Sequence, residues 1–288
     1  MYDLGRKVSD YRKAKGFTVK TLAENLCDES TIYRLEQGKQ LPRLEILNDI
    51  CTKLEMPFKA LFPLNEEVEE LKRLCREHTY NEDYLSLKFT IDECKKVLND
   101  IDSVYTKEEF RKFIQWQHAI LLHKNVGKPL DALRVLNSLA NLKTSNSELD
   151  FNILNSIALI NLSIEKVEVA HRIYNVINKK LQNHIVVEDP TLTPRVGYNY
   201  AHTLFKLERY LDALDVINKV LYYLESHQSM YILGKVYHLN GLLLKKCGYL
   251  GEAAESFQNA ILGFTLTKDK SNINRAEKDL ANIIKVIV

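Results

Sequence analysis

Apolar residues along the first sixty positions recur at helical spacing, cut by short polar breaks. Leu4, Val8 and Tyr11 lie on one helical face and predict a first helix over about residues 3–15. Lys15-Gly16 closes it, a basic last turn followed by glycine as the stop. Thr18 can cap a second helix from Val19 to about Leu26, with Leu22, Ala23 and Leu26 as its apolar stripe. After the polar turn Cys27-Asp28-Glu29, either Ser30 or Asp28 caps a third helix through Gln37. Ile32 and Leu35 face inward there, and Gly38 ends it. The loop Lys39-Gln40-Leu41-Pro42 leads to a fourth helix, Leu44 to Leu54, with Leu44, Leu47, Ile50, Cys51 and Leu54 inward. Met56-Pro57-Phe58 through Leu61-Phe62 supplies a short fifth element.

From about Asn65 the helical pattern is continuous. Glu66 to about Glu77 is amphipathic through Val68, Leu71, Leu74 and Cys75, and is placed to join two domains. The expected division is a first domain over 1–63, a linker helix over 64–78 and a second domain over 79–288. Within the last, a small residue is followed four positions later by a bulky one and seven later by an apolar one. The copies are Ala132-Leu136-Leu139, Ala170-Tyr174-Ile177, Ala213-Ile217-Val220 and Ala253-Phe257-Ala260, spaced by 38, 43 and 40 residues. Twelve residues before each small position stand Ile120, Ala158, Ala201 and Gly241. Two copies carry an aromatic just upstream, Tyr210 and Tyr249, and a degenerate earlier copy surrounds Tyr80 and Tyr84.

Composition agrees with an all-α chain. Only 10 Gly and 6 Pro occur in 288 residues, and these two cost most inside a helix. No apolar run is long enough to span a membrane: Asn155, Ser156 and Asn161 interrupt the richest stretch, Ile153 to Leu162. The polar start does not resemble a signal peptide, so a cytoplasmic protein is expected. Cys27, Cys51, Cys75, Cys94 and Cys247 are odd in number and form no C-x-x-C pair, which predicts reduced thiols rather than disulfides or a zinc site. The eight His are scattered, and no phosphate loop, H-E-x-x-H or nucleophile elbow is present. No catalytic residue, metal site or cofactor is therefore expected. The net charge of +2 confines any basic surface to a local patch.

The string Gly16-Phe17-Thr18-x-x-x-Leu22-Ala23-x-x-Leu26, then Ser30-x-Ile32-x-Arg34-Leu35-Glu36-x-Gly38-x-x-x-Pro42, resembles the Cro/cI-type (Xre) helix-turn-helix. Ala23 is small enough for the close helix crossing of that motif. The resemblance implies double-stranded DNA as partner, with the third helix in the major groove. Its outward residues are Glu29, Ser30, Thr31, Tyr33, Arg34 and Gln37. Arg34 is the leading candidate for a bidentate contact to guanine, the alternatives being an ion pair with Glu36 or a phosphate contact. Ser30 and Thr31 can bond bases or phosphates, and Glu29 either accepts from cytosine or complements the helix N-terminus. Thr18, Lys20, Lys39 and Arg43 flank the motif and suit phosphate.

The repeats of the second domain resemble tetratricopeptide repeats with lengthened loops, stacked helix pairs that build a superhelix with a concave groove. Trp116 stands where such repeats place a tryptophan. Asn155 and Asn199 precede Ala158 and Ala201 by three and two residues, which turns them toward the groove. An Asn amide offers both donor and acceptor to a peptide unit.

An Xre-type head, a linker helix and about five such repeats together resemble the RRNPP family of Gram-positive quorum-sensing regulators. That resemblance implies a homodimeric transcription factor on an inverted-repeat operator, its repeats binding a short, re-imported signalling peptide. In that family groove asparagines hold the peptide backbone, a role the resemblance gives to Asn155 and Asn199; Gln117, His202 and Asn240 are the further candidates for peptide contact. The alternative is a regulator independent of peptide or responsive to redox state, whose repeats serve dimerisation or bind a protein partner. An enzyme-like modulator is a third class, for which the DNA head would be redundant.

Overall fold

The computed structural model describes residues 2–56, 66–101, 103–182 and 189–287. Among these, fifteen α-helices and no strand are found. Contacts divide the chain into two units, Met1–Tyr80 and Asn81–Val288. The expected fifth element from Pro57 to Phe62, and the 63/64 boundary, lie outside the described residues.

In the first unit α1 (Tyr2–Ala14), α2 (Val19–Ala23), α3 (Glu29–Glu36) and α4 (Leu44–Lys53) surround one core. Leu4, Val8, Leu22, Ala23, Ile32, Leu35, Leu47, Ile50, Cys51 and Leu54 are buried in it, with Phe17, Val19 and Leu26 packed against its edge. Thr18 caps α2, its Oγ1 accepting from the Thr21 amide at 3.0 Å. The α2 helix is shorter than expected because Asn25 takes a left-handed φ of 63°, a conformation Asn tolerates better than most residues. Asp28, not Ser30, occupies the N-cap position of α3.

One inward position was misread. Tyr11 is exposed, and Arg12 is the residue that faces the interior of α1. Its Nε and Nη2 donate to the two Glu36 carboxylate oxygens at 2.5 and 2.9 Å, and Nη1 donates to the Phe17 carbonyl at 2.7 Å. The bidentate pair ties α1 to α3 across the turn, while Gly5 lets the same helices close up further. A Cβ there would overlap the Leu35 carbonyl oxygen.

Helix α5 runs Glu66–Tyr80, three residues beyond the expected end. Its buried stripe is Val68, Lys72 and Cys75; Leu71 and Leu74 are half-buried.

The second unit is a chain of antiparallel helices, each packed on the next: α6 (Tyr84–Asn99), α7 (Val104–Lys124), α8 (Pro129–Leu139), α9 (Glu148–Ser163), α10 (Val167–Gln182), α11 (Leu192–Lys206), α12 (Tyr210–Ser226), α13 (Leu233–Lys246), α14 (Leu250–Leu266) and α15 (Lys270–Ile287). Pairs α7/α8, α9/α10, α11/α12 and α13/α14 carry the repeat. Ala132, Ala170, Ala213 and Ala253 are fully buried on the second helix of each pair. Ala119, Ala158, Ala201 and Gly241 answer them on the first helix; Ala119 takes the role expected of Ile120, one position off. Close crossing explains the small residues: a Cβ on Gly241 would come within 2.8 Å of the Phe257 ring.

Five residues before each of those alanines the chain turns through a left-handed residue: Gly127 (φ 70°), Glu165 (61°), Glu208 (59°) and Gly248 (86°). The next amide returns to the end of the preceding helix, Lys128 to Leu122, Lys166 to Asn161, Arg209 to Leu204 and Tyr249 to Leu244, at 2.8–3.0 Å. The last three are Schellman closures, which satisfy carbonyls the helix end leaves unpaired; after α7 the loop is one residue wider, and the Val126 amide makes the corresponding bond to the Leu121 carbonyl.

Helices α7, α9, α11 and α13 also touch their counterparts in the adjacent pair, a contact the second helices do not match. Elements on the inside of a curved stack lie closer than those outside. The first helices therefore line the concave face of this unit.

Candidate functional site

The first surface is the outer face of α3. Ile32 and Leu35 anchor it in the core, which leaves Glu29, Ser30, Tyr33, Arg34 and Gln37 exposed and Thr31 half-exposed. Arg34 donates from Nη1 to Gln40 Oε1 at 3.1 Å and lies 3.4 Å from Ser30 Oγ through Nη2. Glu36 is committed to Arg12. Of the three roles open to Arg34, the ion pair with Glu36 is thereby removed. Tyr33 is 54% exposed, with the Lys39 ammonium 5.7 Å from its ring centre. Thr18 and Lys20 are exposed at the start of α2, and Arg43 at that of α4. Gln40, which aligns Arg34, carried no signal in the sequence; it sat in a loop with nothing to mark its partner.

The second surface is the concave face. Asn155 on α9 and Asn199 on α11 meet there, Asn199 Nδ2 donating to Asn155 Oδ1 at 3.0 Å. From the second helix of the pair, Tyr174 Oη donates to the same oxygen at 3.2 Å. Burial holds the Tyr174 phenol pKa far above its ordinary value, partly offset by the adjacent Asn199 amide, so the group remains a neutral donor. Among the described residues, Asn155 Nδ2 and Asn199 Oδ1 have no protein partner.

Around this pair the face is polar and ordered. Trp116 Nε1 donates to Ser156 Oγ at 2.8 Å. Arg195 Nη2 donates to Asn152 Oδ1 at 2.8 Å and to Asp189 Oδ2 at 3.1 Å. Burial would raise the Asp189 pKa, but the Thr191 hydroxyl and amide and the Arg195 charge outweigh it and hold the carboxyl below its usual range. Lys112 and the Ser147 and Asn146 amides do the same for buried Asp150. His202 lies one turn beyond Asn199, half-buried beside Tyr198 with ring centres 6.5 Å apart. Burial, then the nearby Lys206 and Arg275 charges, lower its pKa and favour the neutral ring.

Two expected groove residues stand elsewhere. Gln117 is on α7 but only 1% exposed. Asn240 is buried on α13, and its Nδ2 donates to Ser256 Oγ on α14 at 3.0 Å. The structure thus brings Asn155 and Asn199 into contact, with His202 one turn on; Asn155 is itself only 5% exposed, so what sets Asn240 (8%) apart is its bond to Ser256 rather than its burial. Sequence reasoning missed Tyr174 as part of the site. A signal existed: the other bulky repeat positions are Leu136, Ile217 and Phe257, and a fully buried hydroxyl needs a partner.

The described residues hold no His/Cys/Asp/Glu group suited to a metal ion and no helix long and apolar enough to cross a membrane. None of the five cysteines is joined in a disulfide.

A helix-turn-helix head ahead of a superhelical repeat unit defines the class of helix-turn-helix regulators with a helical sensor domain. The profile of the RNPP family C-terminal domain matches residues 68–278, and that of a helix-turn-helix domain matches residues 3–60. The chain belongs to the RNPP family, the group whose resemblance its motifs carry under the longer name RRNPP. No curated protein matches it. Among solved structures it is similar to Bacillus thuringiensis PlcR in complex with the peptide PapR7 and DNA, at 22% identity and TM-score 0.74, covering 98% of this chain and 100% of that one. The strings Phe113 to Gln117, Tyr198 to Ala201 and Arg209-Tyr210 look like that protein's as well. It is also similar to a protein from Listeria monocytogenes EGD-e (14% identity, TM-score 0.63, covering 99% and 98% of the two chains). ComR from S. thermophilus in complex with DNA and its signalling peptide ComS matches at 15% identity and TM-score 0.57, covering 97% and 99%.

Proposed function

We propose that this protein is a cytoplasmic, homodimeric transcription regulator that binds an inverted-repeat operator and responds to a short signalling peptide held on the concave face. The observation that carries the reading is the Asn155–Asn199 pair. It presents an unpartnered amide donor and an unpartnered carbonyl acceptor on the face where an extended peptide would lie. Membership of the RNPP family and the solved peptide and DNA complexes of PlcR and ComR support it.

The head carries Glu29 as well as Arg34 on its reading helix and belongs to a chain of net charge +2. Phosphate attraction alone gives such a head little affinity, so two heads on two half-sites are needed. Peptide binding favours one arrangement of the repeats and so sets the spacing of the heads. The shift is limited by the peptide's differential affinity for the two states. The redox alternative needs a reactive thiolate, and burial raises the thiol pKa of both Cys27 and Cys51, disfavouring that form.

Two substitutions test the assignment. Asn199→Ala is expected to abolish the peptide response while basal DNA binding persists; loss of the folded state in a thermal melt would instead make Asn199 structural. Arg34→Ala is expected to relax preference at one base position per half-site, at a cost of about 1–3 kcal/mol at that position. Binding-site selection with randomised duplexes reads this, and uniform weakening across sequences would make Arg34 a phosphate contact.

A further inference from the structure

The geometry points to Tyr174 as the positioning residue that fixes the donor–acceptor polarity of the Asn155–Asn199 pair, and with it the way a peptide backbone can lie across α9 and α11. This rests on the peptide reading above. Tyr174 is fully buried and contacts no solvent or ligand itself. Its hydroxyl and Asn199 Nδ2 both donate to Asn155 Oδ1, at 3.2 and 3.0 Å, which uses both lone pairs of that oxygen.

An Asn amide can rotate by half a turn and exchange its oxygen for its nitrogen at little steric cost. Here that turn is blocked. It would set the Asn155 NH2 against the Asn199 NH2 and take from the Tyr174 hydroxyl the one acceptor of its buried proton; turning both amides together relieves the first clash but not the second. Asn155 must therefore turn its Nδ2 outward. Asn199, having spent one N–H on Asn155, turns its Oδ1 outward. The pair becomes a fixed reader with N–H on the α9 side and C=O on the α11 side. One residue of an extended peptide turns its own C=O and N–H to the same side. Such a residue is satisfied when its C=O faces α9 and its N–H faces α11, and doubly frustrated when reversed. Tyr174 thus selects one chain direction for the bound peptide without touching it.

The test uses the full-length chain and a fluorescently labelled pool of synthetic heptapeptides, taken from the C-terminal ends of short secreted reading frames flanking the gene. Fluorescence anisotropy reads affinity and a thermal melt reads folding. Tyr174→Phe keeps the ring in the core and is expected to weaken binding by about five- to tenfold, the worth of one lost orienting hydrogen bond. In an Asn155→Ala background the same change is expected to cost nothing further, because Tyr174 acts only through that amide. Asn155→Asp keeps the acceptor for Tyr174 and Asn199 but has no donor, and is expected to lose peptide binding while staying folded at the assay temperature, its melt lowered by the charge placed at a position only 5% exposed. It carries the test even where Tyr174→Phe perturbs folding. Wild-type affinity in Tyr174→Phe, the same loss with and without Asn155, or retained binding in Asn155→Asp each overturns the inference and leaves the peptide reading standing. A wild type that binds none of the pool overturns the peptide reading itself, and this inference with it.

Discussion

Arg12→Ala is expected to destabilise the helix-turn-helix unit by about 3–5 kcal/mol, the usual cost of removing one partner of a buried ion pair. The side chains of Arg12 and Glu36 are 11% and 9% exposed, so solvent screening takes little from that figure. The loss has three parts: a bidentate pair, the orphaned Glu36 carboxylate, and a Phe17 carbonyl left without its donor. A small unit whose core is about a dozen side chains holds few kcal/mol in reserve. Hydrogen exchange across α1–α4 would show protection collapse there, while α6–α15 keep theirs. Because much of the penalty is the stranded charge, Arg12→Met combined with Glu36→Leu is expected to recover most of it. A single variant that melts within about 1 kcal/mol of wild type contradicts this, since that is the worth of an exposed pair.

The second large effect belongs to the other unit. Gly263→Ala places a Cβ 2.8 Å from both the Cα and the N of Gly234, backbone atoms that cannot swing aside. In an ordinary exposed helix interior the change would stabilise by up to about 1 kcal/mol. Here α13 and α14 must separate at their crossing, and the Phe264 ring packed over Gly234 moves with them. Overpacking of this kind costs about 1–3 kcal/mol, so the sign reverses. Thermal melting with exchange resolved over α13–α15 measures it; a variant more stable than wild type contradicts it.

The repeats were legible because their constraint is steric and periodic. Ala132, Ala170, Ala213 and Ala253 are small for the reason Gly263 is small: each lies where two helices cross. Asn155 and Asn199 were legible through the same register, since an offset from a crossing residue fixes a helix face. What escaped was chemistry set by partners far along the chain. Arg12 reads as a surface residue until Glu36, 24 positions on, is seen beside it. Tyr174 reads as one more bulky core residue until its hydroxyl is placed. Gln117 and Asn240 carry the same amide as Asn155 and Asn199, and only packing buries the first and turns the second to Ser256. Asn25 shortened α2 through a backbone choice that residue type permits but does not dictate.

The central claim is that a peptide on the concave face controls DNA binding by the head. It is tested most directly by titrating the full-length protein onto a duplex obtained by binding-site selection, with and without each heptapeptide of the flanking-gene pool. At least one peptide is expected to change the apparent DNA affinity by about tenfold, a coupling within the usual range for linked sites. No such change is expected in Asn199→Ala at the same peptide concentration. A duplex affinity that every peptide leaves unchanged, or a change that persists undiminished in Asn199→Ala, contradicts it.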